Sequence, residues 1–433
     1  MILSIDSGTT NTKVSLFDQS GNCQKSVSVP TPTSYPGPAM VEQQAESWWQ
    51  AVIRATRELN LKKSGLSFSG IGSSSQGATF VLLDKQWKPL RPAFTWLDNR
   101  ADSFARDLNR VYGENFFYKR TGHCVGGWSP LCLLVWVARN EPHIWRKTYR
   151  LCFVSDYLNF KLTGRFFLDH TSAQMSCLYN IHTRTWDKEL LKLAGIEEGK
   201  LPEILSACTI GGRTTRSASQ SLNLPSGIPV VAGGHDQYCA CLGAGAEKPG
   251  NTLLSCGTAW AILLTTSRLI FVPGREWVPG QHLLEGRHGL MGVVSEAGAV
   301  LDWMRRNLKL KPVSWRKNMP LQVKVETNFS QGHGAISRLS LATTASEIYL
   351  ATLQELIRKV QHLLTLVQRK VPLERIYLVG GGTREKLLPV LVEEITGRKV
   401  IIPAVREAAS RGAALLASMG ISSLPGSTKE ERQ

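Results

Sequence analysis

Two Gly-Thr turns, each set beside a short apolar run, constrain this chain more than any other feature. The first lies in Ile5-Asp6-Ser7-Gly8-Thr9-Thr10-Asn11-Thr12-Lys13. The second lies far downstream, where Ala232-Gly233-Gly234-His235-Asp236-Gln237 is followed by Leu254-Ser255-Cys256-Gly257-Thr258-Ala259. Each reads as a buried strand that ends in an aspartate and a Gly-Thr turn. Such a turn offers several backbone N–H groups and a hydroxyl to a phosphate, with no side chain in the way. One turn in each half implies two lobes that grip a nucleotide's phosphates between them, the arrangement of a two-domain phosphotransferase.

The remaining bulk properties agree. A chain of 433 residues exceeds what one core usually supports, so two domains are expected. A hydrophobic fraction of 42% with 20% charged residues is ordinary for a globular protein and argues against disorder. No apolar run reaches the length of a membrane span. The opening Met1-Ile2-Leu3-Ser4-Ile5-Asp6 meets an acid too early for a signal peptide, so a cytoplasmic setting is expected. Nine scattered cysteines with no C-x-x-C pair read as reduced core thiols. The formal charge of +17 raises the question of nucleic acid. Its lysines and arginines are dispersed, however, and the densest spots are Lys62-Lys63, Lys309-Leu310-Lys311 and Arg316-Lys317. Attraction of an anionic nucleotide explains the excess as well as nucleic acid does, and solubility explains it without a ligand. Neither a nucleic-acid nor a membrane partner is expected.

Along the chain, Ile2 to Ile5, Val14 to Phe17 and Lys25 to Val29 read as a strand meander, followed by a Pro/Thr/Gly loop over 30–38. Glu46 to Leu59 has helical periodicity, and Phe68 to Ser73 and Thr79 to Leu83 read as strands around Gln76-Gly77. Residues 101–165 are expected to be mostly helical, and Trp186 to Leu193 a short helix. The second half is expected to restart at the strand Pro229 to Ala232. Ser346 to Lys370 reads as a long helix, Arg375 to Val379 as a strand running into Gly380-Gly381-Gly382, and 385–396 and 407–419 as the last helices. The polar tail from Ser422 is expected to fray. Both halves thus open on a strand, an aspartate and glycine, a coarse internal duplication.

The order and spacing of further segments carry a resemblance. They include Val41-Glu42-Gln43 before Trp48-Trp49, Trp96-Leu97-Asp98-Asn99-Arg100, Asp156-Tyr157-Leu158, Leu162-Thr163-Gly164, Asp169 before Ser172-Ala173, and Gly412-Ala413-Ala414. With both Gly-Thr turns, they make the chain resemble the FGGY family of carbohydrate kinases, and xylulose kinases within it. That family sits in the actin/hexokinase/heat-shock ATPase superfamily. The resemblance implies an α/β fold of two ribonuclease H-like (actin-like ATPase) domains flanking a central cleft, divided here as 1–245 and 246–433. It implies an ATP- and Mg²⁺-dependent transfer of the γ-phosphoryl group to a hydroxyl of a small sugar, with a ketopentose such as xylulose or ribulose foremost. A homodimer is compatible with it.

Residue by residue, the resemblance implies that Asp6 helps hold Mg²⁺, a hard cation that prefers carboxylate oxygen. Gly8, Thr9, Thr10 and Lys13 would face the phosphates, as would Gly257 and Thr258 from the second turn. Gly380, Gly381 and Gly382 would admit the flat base to the backbone. Asp236 is the expected general base: phosphoryl transfer needs an oriented hydroxyl whose proton is accepted, and little covalent help. Asp236 also suits a helix N-cap, and the two roles are compatible. Gln76, Trp96, Asp98, Arg100, His235 and Asp236 would line the acceptor pocket, an aromatic face with the donors and acceptors a polyol requires. Asp98 and Arg100 alternatively form a structural ion pair, and His235 alternatively serves structure.

Departures from the family pattern bear on the substrate. Gln76-Gly77-Ala78 stands where xylulose kinases carry Gln-Met-His-Gly, so an imidazole is missing there. Leu133 replaces a signature lysine and Arg338 a signature glycine. The stretch 303–337 is shorter than usual, and Thr383-Arg384-Glu385 after the triple glycine is bulky. Three rival readings follow: a sugar-binding regulatory protein with impaired catalysis, a chaperone-type ATPase of the same superfamily, and a nucleic-acid binder resting on charge alone.

Overall fold

The computed structural model describes residues 1–61, 66–309, 322–328 and 332–423. Lys62-Lys63, Lys311, Arg316-Lys317, much of the shortened stretch 303–337, and the polar tail beyond Ser423 lie outside the described residues. Contacts divide the chain into two compact units. One comprises Met1–Gly243, Gly280–Gly286 and the stretch from Glu407 onward; the other comprises Ala244–Pro279 and Arg287–Arg406. The division at 245/246 follows chain order, whereas contacts place the last helix with the first unit.

The first unit is built on a six-stranded mixed sheet. Its strands are β1 (Ile2–Ser7), β2 (Asn11–Phe17), β3 (Cys23–Pro30), β4 (Gly70–Ser75), β5 (Ile210–Arg213) and β6 (Pro229–His235), in the order β5-β6-β4-β1-β2-β3. β1, β2 and β3 form an antiparallel meander, while β4 runs parallel to β1 and β6 parallel to β4. β1, β4 and β6 are buried on both faces, which is why they read as unbroken runs of apolar and small residues. On one face the Ala45–Glu58 helix buries Trp48, Trp49, Val52 and Ala55, spaced for one helical stripe. The last helix, Ala408–Ser422, seats backbone-close against the sheet: a Cβ on Gly72 would stand 2.1 Å from Ala413 O.

Three sequence expectations change here. Pro229–His235 does not restart a second half; it is a central strand of the first unit, so Asp236 and the Gly257-Thr258 turn belong to different units. The expected loop over 30–38 contains the strand Thr33–Gly37, paired with Met40–Gln43, and that pairing brings Gln43 to the site. Trp186 belongs to a two-residue strand, and the helix begins at Lys188 behind the Asp187 N-cap.

The second unit repeats the plan. Its six-stranded mixed sheet has the strand Val278–Gln281 at one edge and continues in the order β9-β8-β7-β10-β11, where β7 is Thr252–Cys256, β8 Trp260–Thr266, β9 His288–Val294, β10 Arg375–Val379 and β11 Lys399–Ile401. β7, β8 and β9 are antiparallel, and β10 and β11 continue in parallel. The helix Ala345–Val367 starts at a capping box in which Thr344 and Glu347 satisfy each other's backbone N–H. Tyr349, Leu353, Leu356, Val360, Leu364 and Val367 form its buried stripe. Among the described residues, no helix is long and apolar enough to cross a membrane.

Candidate active site

The first Gly-Thr turn closes the β1–β2 hairpin and is held by side chains. Trp96 Nε1 donates to Thr9 Oγ1 at 2.8 Å, and Thr9 Oγ1 donates to Gln76 Oε1 at 3.2 Å. Gln43 Nε2 donates to the Thr9 carbonyl at 2.6 Å and Gln76 Nε2 to Gln43 Oε1 at 3.1 Å. Gln76, expected at the sugar, therefore spends its buried amide on bracing the Gly8-Thr9 turn. Thr10, at the tip, is exposed.

Asp6 lies one step before this turn, buried at 9% exposure and accepting from Ser74 Oγ at 2.9 Å. Burial raises its carboxyl to about 6; Lys13 opposes that shift and Asp236 adds to it. Lys13 pairs with Asp6 in register across the hairpin, and its Nζ donates to Glu407 Oε2 at 2.6 Å. Burial presses the Lys13 ammonium down, but Glu407 and Asp6 outweigh burial and hold it above its usual range.

Asp236 opens the helix Asp236–Ala244 directly after β6. The Gly233-Gly234 pair explains how β6 turns there. A Cβ on Gly233 would stand 1.6 Å from Ser73 O, and the β6–β4 register shifts between Val231 and Gly234. Behind the bulge, His235 N donates to Thr171 Oγ1 at 2.9 Å, and Thr171 Oγ1 donates to Asp169 Oδ2 at 2.6 Å. Asp169 also accepts from the Thr171 and Ser172 backbone, so the strand end rests on a fixed support. The Asp236 side chain keeps 26% exposure, and Asp236 Oδ1 stands 3.4 Å from His235 Nε2. A carboxylate placed after a braced strand end and still open can accept a proton from a hydroxyl.

The imidazole missing from the 76–78 segment is present from another strand. A Cβ on Gly77 would lie 2.7 Å from His235 Cδ2 and 2.5 Å from Met175 Cγ. Gly77 is thus small because the His235 ring and Met175 fill its space. Trp96 is 40% exposed and offers a ring face. Asp98 and Arg100 differ from the pocket expectation: Asp98 is fully buried, and both its oxygens accept, from Arg100 and the Val41 N–H. Arg100 also donates to Glu42 at 2.6 Å, and Glu42 pairs with Arg91. The geometry favours the structural ion pair, an internal strut behind Trp96.

In the second unit, Gly257 and Thr258 follow β7 and are exposed. Backbone alone fixes this turn. A Cβ on Gly298 would stand 2.0 Å from Gly257 O, and Ala299 N donates to Thr258 O at 3.0 Å. Gly380 has φ +89°, and a Cβ there would meet the Cys256 backbone at 2.9 Å, so only glycine suits it. Gly381 faces open space, while a Cβ on Gly382 would press on Cys256 Cβ at 2.5 Å. Of the bulky residues that follow, Glu385 is buried and Arg384 stays exposed. Thr383 Oγ1 donates to Gly380 O at 2.8 Å, and Glu385 turns inward to Arg305 and the Tyr349 hydroxyl. Gln43, Ser74, Asp169, Thr171, Gly298 and Glu407 were not singled out as site residues from sequence. Asp169 holds partners only two and three positions away, but Gln43, Ser74 and Glu407 pair across 34 to 394 positions, which no local pattern encodes.

A family model described as the FGGY family of carbohydrate kinases, N-terminal domain, matches residues 1–243, and its C-terminal counterpart matches 329–421. The chain belongs to the FGGY family of carbohydrate kinases. It is 27% identical to the glycerol kinase of Thermococcus kodakarensis over 97% of this chain and 88% of that one. It is 23% identical to the xylulose kinase of Staphylococcus xylosus over 97% and 90%. The crystal structure of gluconate kinase from Lactobacillus acidophilus superposes with a TM-score of 0.89 at 21% identity, covering 97% of this chain and 89% of that one. As an FGGY kinase the protein is an ATP-dependent transferase acting on a sugar or polyol. Its relatives divide among glycerol, xylulose and gluconate as acceptors.

Proposed function

We propose that this FGGY kinase transfers the γ-phosphoryl group of ATP to a hydroxyl of a small sugar, with a ketopentose such as xylulose or ribulose the first acceptor to test. The observation that carries the reading is Asp236 directly after β6, whose last residue, His235, is held through its N–H by Thr171 and Asp169 while the Asp236 side chain stays open. Asp236 accepts the hydroxyl proton as the oxygen attacks phosphorus in line and ADP leaves. The Gly8 N–H is spent on Asn11 O at 3.0 Å, so the Thr9 and Thr10 backbone N–H groups and those of the Gly257-Thr258 turn receive phosphate oxygens. Gly380 to Gly382 give the base close access to backbone. Trp96 offers its face to the acceptor, and a similar exposed ring suits a sugar's C–H surface.

The donor set fits Mg²⁺. Among the described residues there is no group of three or more potential protein ligands, and Mg²⁺ typically takes one or two carboxylates while keeping waters and phosphate oxygens. Asp6 is the residue that would hold it. A buried carboxylate whose burial disfavours charge gains most from a nearby cation, which would neutralise phosphate charge during transfer.

We retain a cytoplasmic setting as part of this reading, supported by the nine free thiols, most of them buried. The rival, a regulatory sugar binder, predicts loss at the phosphate turns. Retention of both turns, with Glu385 folded inward beyond the triple glycine, supports the catalytic reading. A coupled ADP-release assay with Mg-ATP against ketoses, polyols and aldonic acids tests it. Turnover that depends on a ketopentose is expected. Acceptor binding without turnover above the ATP-only rate would transfer the case to the regulatory binder.

A further inference from the structure

We infer that His123 and His235 together read the acceptor's hydroxyl groups and select an uncharged polyhydroxylated molecule over a sugar acid. The inference rests on the kinase reading above and narrows its substrate class.

His123 lies outside every motif discussed so far. It is 3% exposed and His235 6%, yet His123 Nε2 and His235 Nδ1 have no hydrogen-bond partner. Buried polar atoms are nearly always satisfied, so two orphaned ring nitrogens beside the proposed base point to a ligand that completes them. The rings are near enough for the charge of His235 to act on His123. The loop carrying His123 is fixed in place. Its ring packs edge-on to Trp128 at 5.6 Å, and a Cβ on Gly127 would strike Asp102 N at 2.6 Å, so the loop lies flush on the segment beginning at Trp96. Gly77 leaves the His235 ring its room.

Chemistry then decides the class. Burial, with a smaller contribution from His235, pushes the His123 imidazole down to about 3, so it is neutral under physiological conditions. A neutral imidazole has one donor and one acceptor nitrogen, which complements a hydroxyl that both donates and accepts. A carboxylate only accepts and needs a cation when buried. The cations near this face are committed, Arg100 to Asp98 and Glu42 and Lys13 to Glu407. Asp236, Asp6 and Asp169 supply negative charge there, so a sugar acid would enter an opposing field.

The test compares wild type, His123→Leu and His123→Asn by calorimetric acceptor binding without ATP and by coupled kinetics, using xylulose, ribitol, glycerol and gluconate. Wild type is expected to bind one of the uncharged compounds at least tenfold more tightly than gluconate. His123→Leu is expected to lower kcat/KM for that acceptor about 10- to 100-fold at unchanged KM for ATP. His123→Asn, which keeps a donor and an acceptor, is expected to recover part of the loss, with thermal melts confirming that both variants fold. Tighter binding of gluconate, no binding of any uncharged compound, or a His123→Leu variant with unaltered acceptor kinetics overturns the inference. Selective binding with no turnover leaves it standing and removes the kinase reading instead, so the two failures are distinguishable.

Discussion

The two Gly-Thr turns occupy the same place in two similar sheets, yet they are held in different ways. Each closes an antiparallel hairpin next to a parallel strand. In the first, Thr9 is engaged by Trp96, Gln76 and Gln43, so the turn is tied to the face proposed for the acceptor. In the second, glycine backbones from the Gly298 and Gly380 segments meet the turn, and the Thr258 side chain makes no hydrogen bond among the described residues. The acid is also unequal: Asp6 precedes the first turn, and Ser255 stands at the matching place before the second. Two similar sheets thus differ, with the charged Asp6 and a side-chain-braced turn in one and close backbone approach in the other.

The largest expected effect comes from the proposed base in the first unit. Asp236→Asn keeps the size but cannot take a proton, and acceptor-dependent turnover is expected to fall about 10²- to 10⁴-fold in steady-state kinetics. Next is Gly298→Ala, whose Cβ would stand 2.0 Å from Gly257 O and must displace the second turn. It is expected to lower kcat/KM for ATP by about 10- to 100-fold while acceptor binding, read by calorimetry, stays unchanged.

A smaller contrast sharpens the comparison most. Thr9→Val removes the hydroxyl that joins Trp96 to Gln76, so it is expected to change the KM of both substrates and to cost about 1–2 kcal/mol in chemical denaturation. Thr258→Val is expected to change the KM for ATP alone and stability by less than about 0.5 kcal/mol. Equal behaviour of the two variants would break the comparison.

Asp156 serves as a control that touches neither turn. It caps its helix through Phe153 N at 2.6 Å, and burial pushes its carboxyl from an ordinary 3.8 to about 8. A carboxyl raised in the fold adds most to stability below its unfolded value and loses that contribution as pH rises to its folded value. Asp156→Asn keeps the cap without the ionisation, so its stability relative to wild type is expected to climb between about pH 4 and 8, by on the order of 1–5 kcal/mol. Melting curves across that window check the trend, and both KM values are expected to hold.

The features legible in sequence were those written locally. The β1–β2 turn, the strand into Gly380 and the long helix ending at Val367 follow from periodicity and glycine placement, and the structure places them within a few residues of expectation. The family followed from the order of many short motifs. What could not be read was partnership. Pro229–His235 looked like a new beginning because a buried strand before glycine and acid is the same string in either copy. Only pairing with β4 assigns it to the first unit. Asp98 and Arg100 looked like polyol ligands because carboxylate and guanidinium suit that role equally well, until Glu42 and Val41 arrive from another strand to claim them. His123 gave no signal, since its importance lies in what it fails to touch.

The most direct test of the whole account is initial-rate ADP release with Mg-ATP by wild type and Asp236→Asn, with and without the best-bound uncharged acceptor. The account predicts acceptor-dependent turnover in wild type and a loss of at least about 100-fold in the variant at similar acceptor affinity. A variant that turns over as fast as wild type would contradict it, because no proton would then pass to the carboxylate at the end of β6.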